Sequence, residues 1–221
     1  MEHLGTVESS HQLTVANRTW THQELLAAAE RAEHKRSGWP FGLVLRDQGI
    51  LPMADGVEAR YQRYDSTLWQ DYWRLTTTGS FYVVRAVIED FEEPGFTSNL
   101  GHPEEMIWFD LRVFEIAELI LHSVRLYRAL EVPPDVSYSL SIRHDGLKDR
   151  EFYTSTATRH VRRGRISHED ATEWSSELTQ DYVSGNLKAL VAQVAQSLFV
   201  QFDFVDIQEH TIDERVDQFL N

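Results

Sequence analysis

The chain has no cysteine among its 221 residues. That absence removes disulfide frameworks, thiolate metal sites and thiol nucleophiles together. Proline is scarce, with 6 residues, and no Pro/Gly/Ser stretch is long enough to separate two domains. No apolar run reaches the roughly 18 residues of a membrane span. The start Met-Glu-His-Leu-Gly lacks the basic and apolar regions of a signal peptide. Positive charge is short too: 21 Lys and Arg face 35 Asp and Glu, for a net charge of -14. Such a surface repels phosphate backbones and anionic lipid, so nucleic acid is disfavoured and no membrane is expected. The chain also lacks a Gly-rich loop with the lysine and hydroxyl of a phosphate cradle, and it lacks a Gly-x-Ser-x-Gly elbow. The composition reads as a cytoplasmic protein, and no motif identifies a cofactor.

What is present is enough apolar material, 42% of residues, for a sizeable core. The stretch Trp69 to Phe91 organises it. Asp71, Trp73 and Leu75 alternate with Tyr72 and Arg74, Thr76 to Gly79 supply a turn, and Phe81 onward is rich in aromatic and β-branched residues. The second strand is apolar on both faces, which predicts a central strand covered by helices on both sides.

Residues 1–18 are polar and are expected to be a flexible N-terminal segment, with 19–221 forming a single α+β domain. Thr21 and Glu24 form a Thr-x-x-Glu capping pattern for a helix whose apolar stripe is Leu25, Leu26, Ala29 and Ala32. Phe41 to Leu45 and Val57 to Tyr61 read as strands. A long helix is expected from Pro103, with Met106, Phe109, Val113, Ile116, Ile120, Val124 and Tyr127 at helical spacing. Val136 to Ile142 and Glu151 to Thr156 suggest a second hairpin. A helix opening at Ser167 and carrying Trp174, a helix from Asp181 to Leu198, a strand LFVQFDFVDI and a short helix from Asp213 complete the order. The expected sheet is mixed and mostly antiparallel.

Charges inside a buried strand need partners, so Arg85, Glu89 and Asp90 are candidate ligand-binding residues. The plainer reading neutralises Arg85 with Asp71 or Glu89 across the hairpin. Arg143, His144 and Arg150 surround the turn at Gly146 and form a second candidate group. Glu118 and His122, four apart on the long helix, have metal-ligand spacing but read equally as an ion pair, and no metal ligand set is assigned. Arg159, Arg162, Arg163 and Arg165 form the only basic concentration and are candidate nucleic-acid contacts.

The succession AAERAEHKRSGWPFGLVL, ADGVEA, DYWRLTTTGSFYVVRAVIED, RHDGLKDR and SLFVQFDF, from about Leu25 to Phe204, resembles a bacterial family. It is similar to the carboxyl-terminal region of proteins that begin with a Schlafen-type AlbA_2 domain credited with DNA binding, often labelled ATP-binding proteins or transcriptional regulators. The AlbA_2 half is not in this sequence, so the resemblance implies an accessory module attached to an effector or DNA-binding domain. The expected function is non-enzymatic recognition, assembly or ligand sensing with a linked or partner effector, in bacterial regulation or phage defence. A protein partner or self-association is expected. The alternative is a metal-dependent hydrolase or nuclease using Glu89, Asp90 and His144.

Overall fold

The computed structural model describes residues 5–15, 18–34, 40–45, 49–62, 70–91, 106–154, 164–203 and 209–221. They form an α+β domain: a seven-stranded antiparallel sheet, a separate pair of short parallel strands, and four helices. The strands of the large sheet are β1 (Thr6–Leu13), β2 (Ile50–Met53), β3 (Gly56–Gln62), β4 (Gln70–Thr76), β5 (Phe81–Ala86), β7 (Tyr138–Asp145) and β9 (Ala171–Leu178), in the order β2-β3-β4-β5-β1-β7-β9. The small pair is β6 (Met106–Trp108) with β8 (Glu151–Tyr153). The helices are α1 (His22–Ala32), α2 (Phe109–Ala129), α3 (Gln180–Phe199) and α4 (Glu209–Leu220).

The β4–β5 hairpin is as the sequence indicates, and β5 is the fourth of the seven strands. Its covering differs. Phe81, Val83 and Arg85 are buried, but Tyr82 and Val84 on the opposite face are only half-buried. Burial alternates in the neighbouring strands too: Val7, Ser9, His11 and Leu13 point inward from β1, while Thr6, Glu8 and Ser10 are half-exposed and Gln12 is exposed. Helical cover therefore lies on one side of the sheet. Two β-branched or aromatic residues on the outer face made β5 look doubly buried, but polar neighbours on β1 and β4 keep that face wet.

The described residues 5–15 of the segment 1–18 are not a loose tail. Within it β1 lies between β5 and β7 and pairs antiparallel with both. Its inward residues include serine and histidine, so period-two hydrophobicity is faint although the strand pairs with β7 along its whole length and with β5 from Thr6 to His11.

The capping box holds as expected, with Thr21 accepting from the Glu24 amide and Glu24 accepting from the Thr21 amide. The long helix begins at Phe109 instead of Pro103, which lies outside the described residues, because Met106 to Trp108 is spent on β6. It ends where Glu131 takes a left-handed φ of 58°. Phe41 to Leu45 forms a turn and irregular backbone, not a strand. Glu151 to Tyr153 does not hairpin with β7; it pairs in parallel with β6. The helix expected at Ser167 is the strand β9, in which exposed Glu173, Ser175 and Glu177 alternate with half-buried Thr172, Trp174 and Ser176. Glutamates four apart suit either a helix face or alternate strand positions, and here the period of two prevails. The segment LFVQF is not a strand but the end of α3 and a 3₁₀ turn. Val194, Leu198 and Phe202, at spacings of four, are all buried.

Among the described residues, no helix is long and apolar enough to cross a membrane.

Candidate functional site

Three arginines are sunk between the inner face of the sheet and α2. Arg85 faces its cross-strand partner Asp71. Its Nε and Nη2 donate to Asp71 Oδ2 at 3.2 and 2.9 Å, and Nη2 also donates to the Pro40 carbonyl at 2.7 Å. The guanidinium carbon lies 3.9 Å from the centre of the Phe41 ring. The side chains of Arg85 and Asp71 are 5% and 0% exposed, so the pair exists only because each charge meets the other. The plainer reading of Arg85 is thus the observed arrangement.

The second guanidinium, Arg112 on α2, donates from Nη2 to Glu89 Oε2 at 2.7 Å, and its Nη1 lies 2.6 Å from Glu115 Oε2. Glu89 sits in a 3₁₀ turn, Ile88–Phe91, directly after β5 and also accepts from the Trp108 amide at 3.1 Å. It thereby ties the end of β5 to the start of α2. The third, Arg150, faces Asp90 with Nη1 to Oδ1 at 2.7 Å and Nη2 donating to Oδ2 at 3.0 Å. Its Nε donates to the Gly146 carbonyl, and Asp90 accepts from the Gly5 amide. A Cβ on Gly5 would come within 2.8 Å of Arg150 Nη2, so the close approach requires a glycine.

This layer carries three guanidiniums and five carboxyls, the fifth belonging to Glu118. Burial opposes ionisation at two of the five. Burial pushes the Glu118 carboxyl up to about 8 against the opposing charge of Arg85, and burial also raises Glu115 against Arg112. His144, on the inner face of β7, is pushed down to about 3 by burial, with Arg112 adding repulsion.

Beside the ionic layer is an aromatic box. His11 stacks on Phe81 at 5.1 Å and meets Tyr127 edge-on at 5.0 Å, and His122 approaches Phe81 at 4.5 Å. Burial holds both histidines neutral; His122 falls to about 3 with Arg125 contributing, and His11 is lowered by burial and then by His122. Glu118 and His122 do share the buried side of α2, yet among the described residues no group of three or more His, Asp or Glu is gathered as a metal site.

The predicted ligand group is therefore divided. Arg85, Glu89, Asp90, His144 and Arg150 lie in the buried layer, each charged member against an opposite charge. Arg143 does not join them. It and His144 are consecutive in β7, not in a turn, so they point to opposite faces. Arg143 is on the outer face, its side chain 42% exposed, bonded to Asp145 at 2.5 and 2.9 Å. Among the basic cluster, Arg165 donates to the Asp203 carbonyl, while Arg159, Arg162 and Arg163 lie outside the described residues. Sequence reasoning passed over Arg112 and Glu115. Their signal was available: Arg112 stands three residues after Phe109 and four before Ile116, squarely on the apolar side of α2.

The outer face is organised differently. One row across the sheet runs Arg60, Tyr72, Val84, Glu8, Arg143, Glu173. Tyr72 donates to Glu58, Tyr82 to Glu8, and Ser141 to Glu173 at 3.1, 2.9 and 2.7 Å. The Tyr72 and Tyr82 rings are 6.2 Å apart. These groups are half-buried or exposed, with Glu58 as the buried exception.

Comparison with protein-family models, curated proteins and solved structures finds no match to this chain.

Proposed function

We propose that the chain is a non-enzymatic recognition or assembly module that works with a linked or partner effector, in bacterial regulation or phage defence. One observation carries the reading: the sheet has two unlike faces. The inner face uses its charges on one another, while the outer face offers solvent a half-buried ladder of tyrosines, arginines and glutamates. Aromatic and arginine side chains held in place by neighbours, with part of their surface still accessible, suit protein recognition. The resemblance of the sequence to an accessory region beside an AlbA_2 domain points the same way.

The alternative, a metal-dependent hydrolase or nuclease, would need Glu89, Asp90 and His144 to converge on a substrate. Here Glu89 and Asp90 are engaged by Arg112 and Arg150, and His144 is buried. The test is co-expression of the full chain with the products of adjacent reading frames, read by chromatography with light scattering. A complex or self-assembly that Tyr82→Ala/Arg143→Ala weakens at least tenfold, with circular dichroism unchanged, is the expected result. No assembly, or assembly indifferent to that variant, overturns the reading. So does hydrolysis of nucleic acid with manganese or magnesium that a folded Asp90→Asn variant loses.

A further inference from the structure

Strand β9 is where the sheet ends among the described residues: it pairs with β7 on one side, and the sheet order stops there. An end strand leaves every second residue's amide and carbonyl pointing away from the ladder, a template for one more strand. Most proteins blunt such an edge by making it short, bulged or proline-bearing. The opposite edge, β2, is four residues long and contains Pro52. In contrast β9 is eight residues long, has no proline, and keeps unbroken register with β7 from Ala171 to Leu178.

Its two sides differ in chemistry. On the outer face are Glu173, Ser175 and Glu177, all exposed. On the inner side Trp174 is half-buried against the core, and Thr172 is fixed to α3 by its hydroxyl donating to the Ser197 carbonyl at 3.2 Å. Helix α3 thus packs against the inner side of the strand. From Ile166 to Leu187 the sequence has five acids, Glu169, Asp170, Glu173, Glu177 and Asp181, and no Lys or Arg. All five acids are exposed.

We infer that β9 takes an added strand from a protein partner: an extended segment alternating basic and apolar residues. Its Lys or Arg side chains stand on the outer face opposite Glu173 and Glu177, and its apolar side chains extend the inner layer beyond Trp174. Cross-strand pairing rewards opposite charges and penalises like ones, which selects this occupant over an acidic segment and over nucleic acid. A second copy is disfavoured by the same rule. Pairing β9 with itself about Ser175 sets Glu173 against Glu177 twice. The inference rests on the module reading and names the kind of partner segment it takes.

The experiment uses the full chain and two ten-residue peptides, one alternating Lys and Val, the other Glu and Val. Backbone NMR and hydrogen exchange follow the β9 amides. The Lys/Val peptide is expected to bind at least tenfold more tightly than the Glu/Val peptide, with new protection confined to 171–178 and affinity falling as salt rises. Glu173→Lys/Glu177→Lys, both at exposed positions, should reverse the preference while leaving the fold unchanged. Equal binding of the two peptides, protection elsewhere, or β9 protected by dimerisation of the free chain overturns the inference. If it fails while assembly with adjacent gene products persists, only the edge is wrong; if that assembly is absent as well, the module reading falls with it.

Discussion

Replacing Arg85 with Met should be among the most damaging changes in the chain, and replacing its partner at the same time should undo much of the damage. The Asp71 carboxylate is fully buried, and in the folded chain Arg85 gives it two donors. Arg85→Met leaves a desolvated carboxylate facing a thioether, a cost of about 3–5 kcal/mol. For a domain this size, that lowers Tm by roughly 6–20 °C. Asp71→Leu alone should cost less, because Arg85 keeps the Pro40 carbonyl, the Phe41 ring and the nearby Glu118, which ionises more readily once the repulsion of Asp71 is gone. In the double variant no charge is stranded. Glu118, already pushed up to about 8 with Arg85 in place, stays neutral without it. What remains is the Pro40 carbonyl without its donor, about 1–3 kcal/mol. Urea titrations of wild type, both single variants and the double should give a coupling energy of at least about 2 kcal/mol. A single Arg85→Met costing less than about 1 kcal/mol, or a double variant as unstable as the sum of the singles, would refute the claim that this pair is structural and return Arg85 to the pool of ligand anchors.

Acidification should weaken the fold. His11, His122 and His144 are held neutral by burial, so the unfolded chain takes up protons first, and stability is full above the unfolded value near 6.5 and is lost as pH drops below it. Each contributes up to about 1.4 kcal/mol per pH unit, three of them about 4. Glu118, raised to about 8, acts in the opposite sense, its contribution complete below the ordinary carboxylate range and lost as pH rises towards 8, and Glu115, also raised by burial, adds to it. The balance is a net loss of roughly 1–3 kcal/mol per unit between about pH 6 and 5; urea midpoints that stay flat from pH 7 to 5 would contradict it. Gly42→Ala should cost about 1–3 kcal/mol, since φ is +68° and the new Cβ would lie 2.7 Å from His122 Nε2. Gly164→Ala, with φ +84° and nothing within 4 Å, should show the backbone part alone, about 1 kcal/mol; equal losses at both sites would mean that His122 exerts no pressure. Trp73→Phe should cost about 2–4 kcal/mol, because the indole donates to the buried Leu43 carbonyl at 2.7 Å and fills a site with no exposure. Thermal melts within 1 °C of wild type would contradict that.

The readable parts of the fold were those with a local signal: the Thr21 to Glu24 cap, the β4–β5 turn, the stripe along α2. What escaped depended on distant partners. Strand β1 carries Ser9 and His11 where a strand would normally show apolar residues, and only β5 and β7 on either side make it central. The parallel pairing of β6 with β8 joins residues more than forty apart and leaves no local trace. In β9 acidic composition outweighed alternation. The site was legible in part for the same reason. Arg85 stood out as a charge in an apolar strand, and Asp71 was within reach of a hairpin register. Arg112 hid in a helix where arginine is ordinary, and only its position on the apolar side marked it.

The place of β1 in the sheet also sets a timetable. It is made before both of its neighbours, Phe81–Ala86 and then Tyr138–Asp145. At about 5–20 residues per second, the ribosome needs roughly 7–26 s to go from Leu13 to Asp145. Both of its ladders are open until Phe81–Ala86 is made, and the β7 side stays open for the whole interval. A Val/Ile-rich strand in that position would invite aggregation, whereas Glu8, Ser9, Ser10, His11 and Gln12 make it a poor template for stray pairing. The polarity that obscures this strand in the sequence is thus what lets it survive the delay.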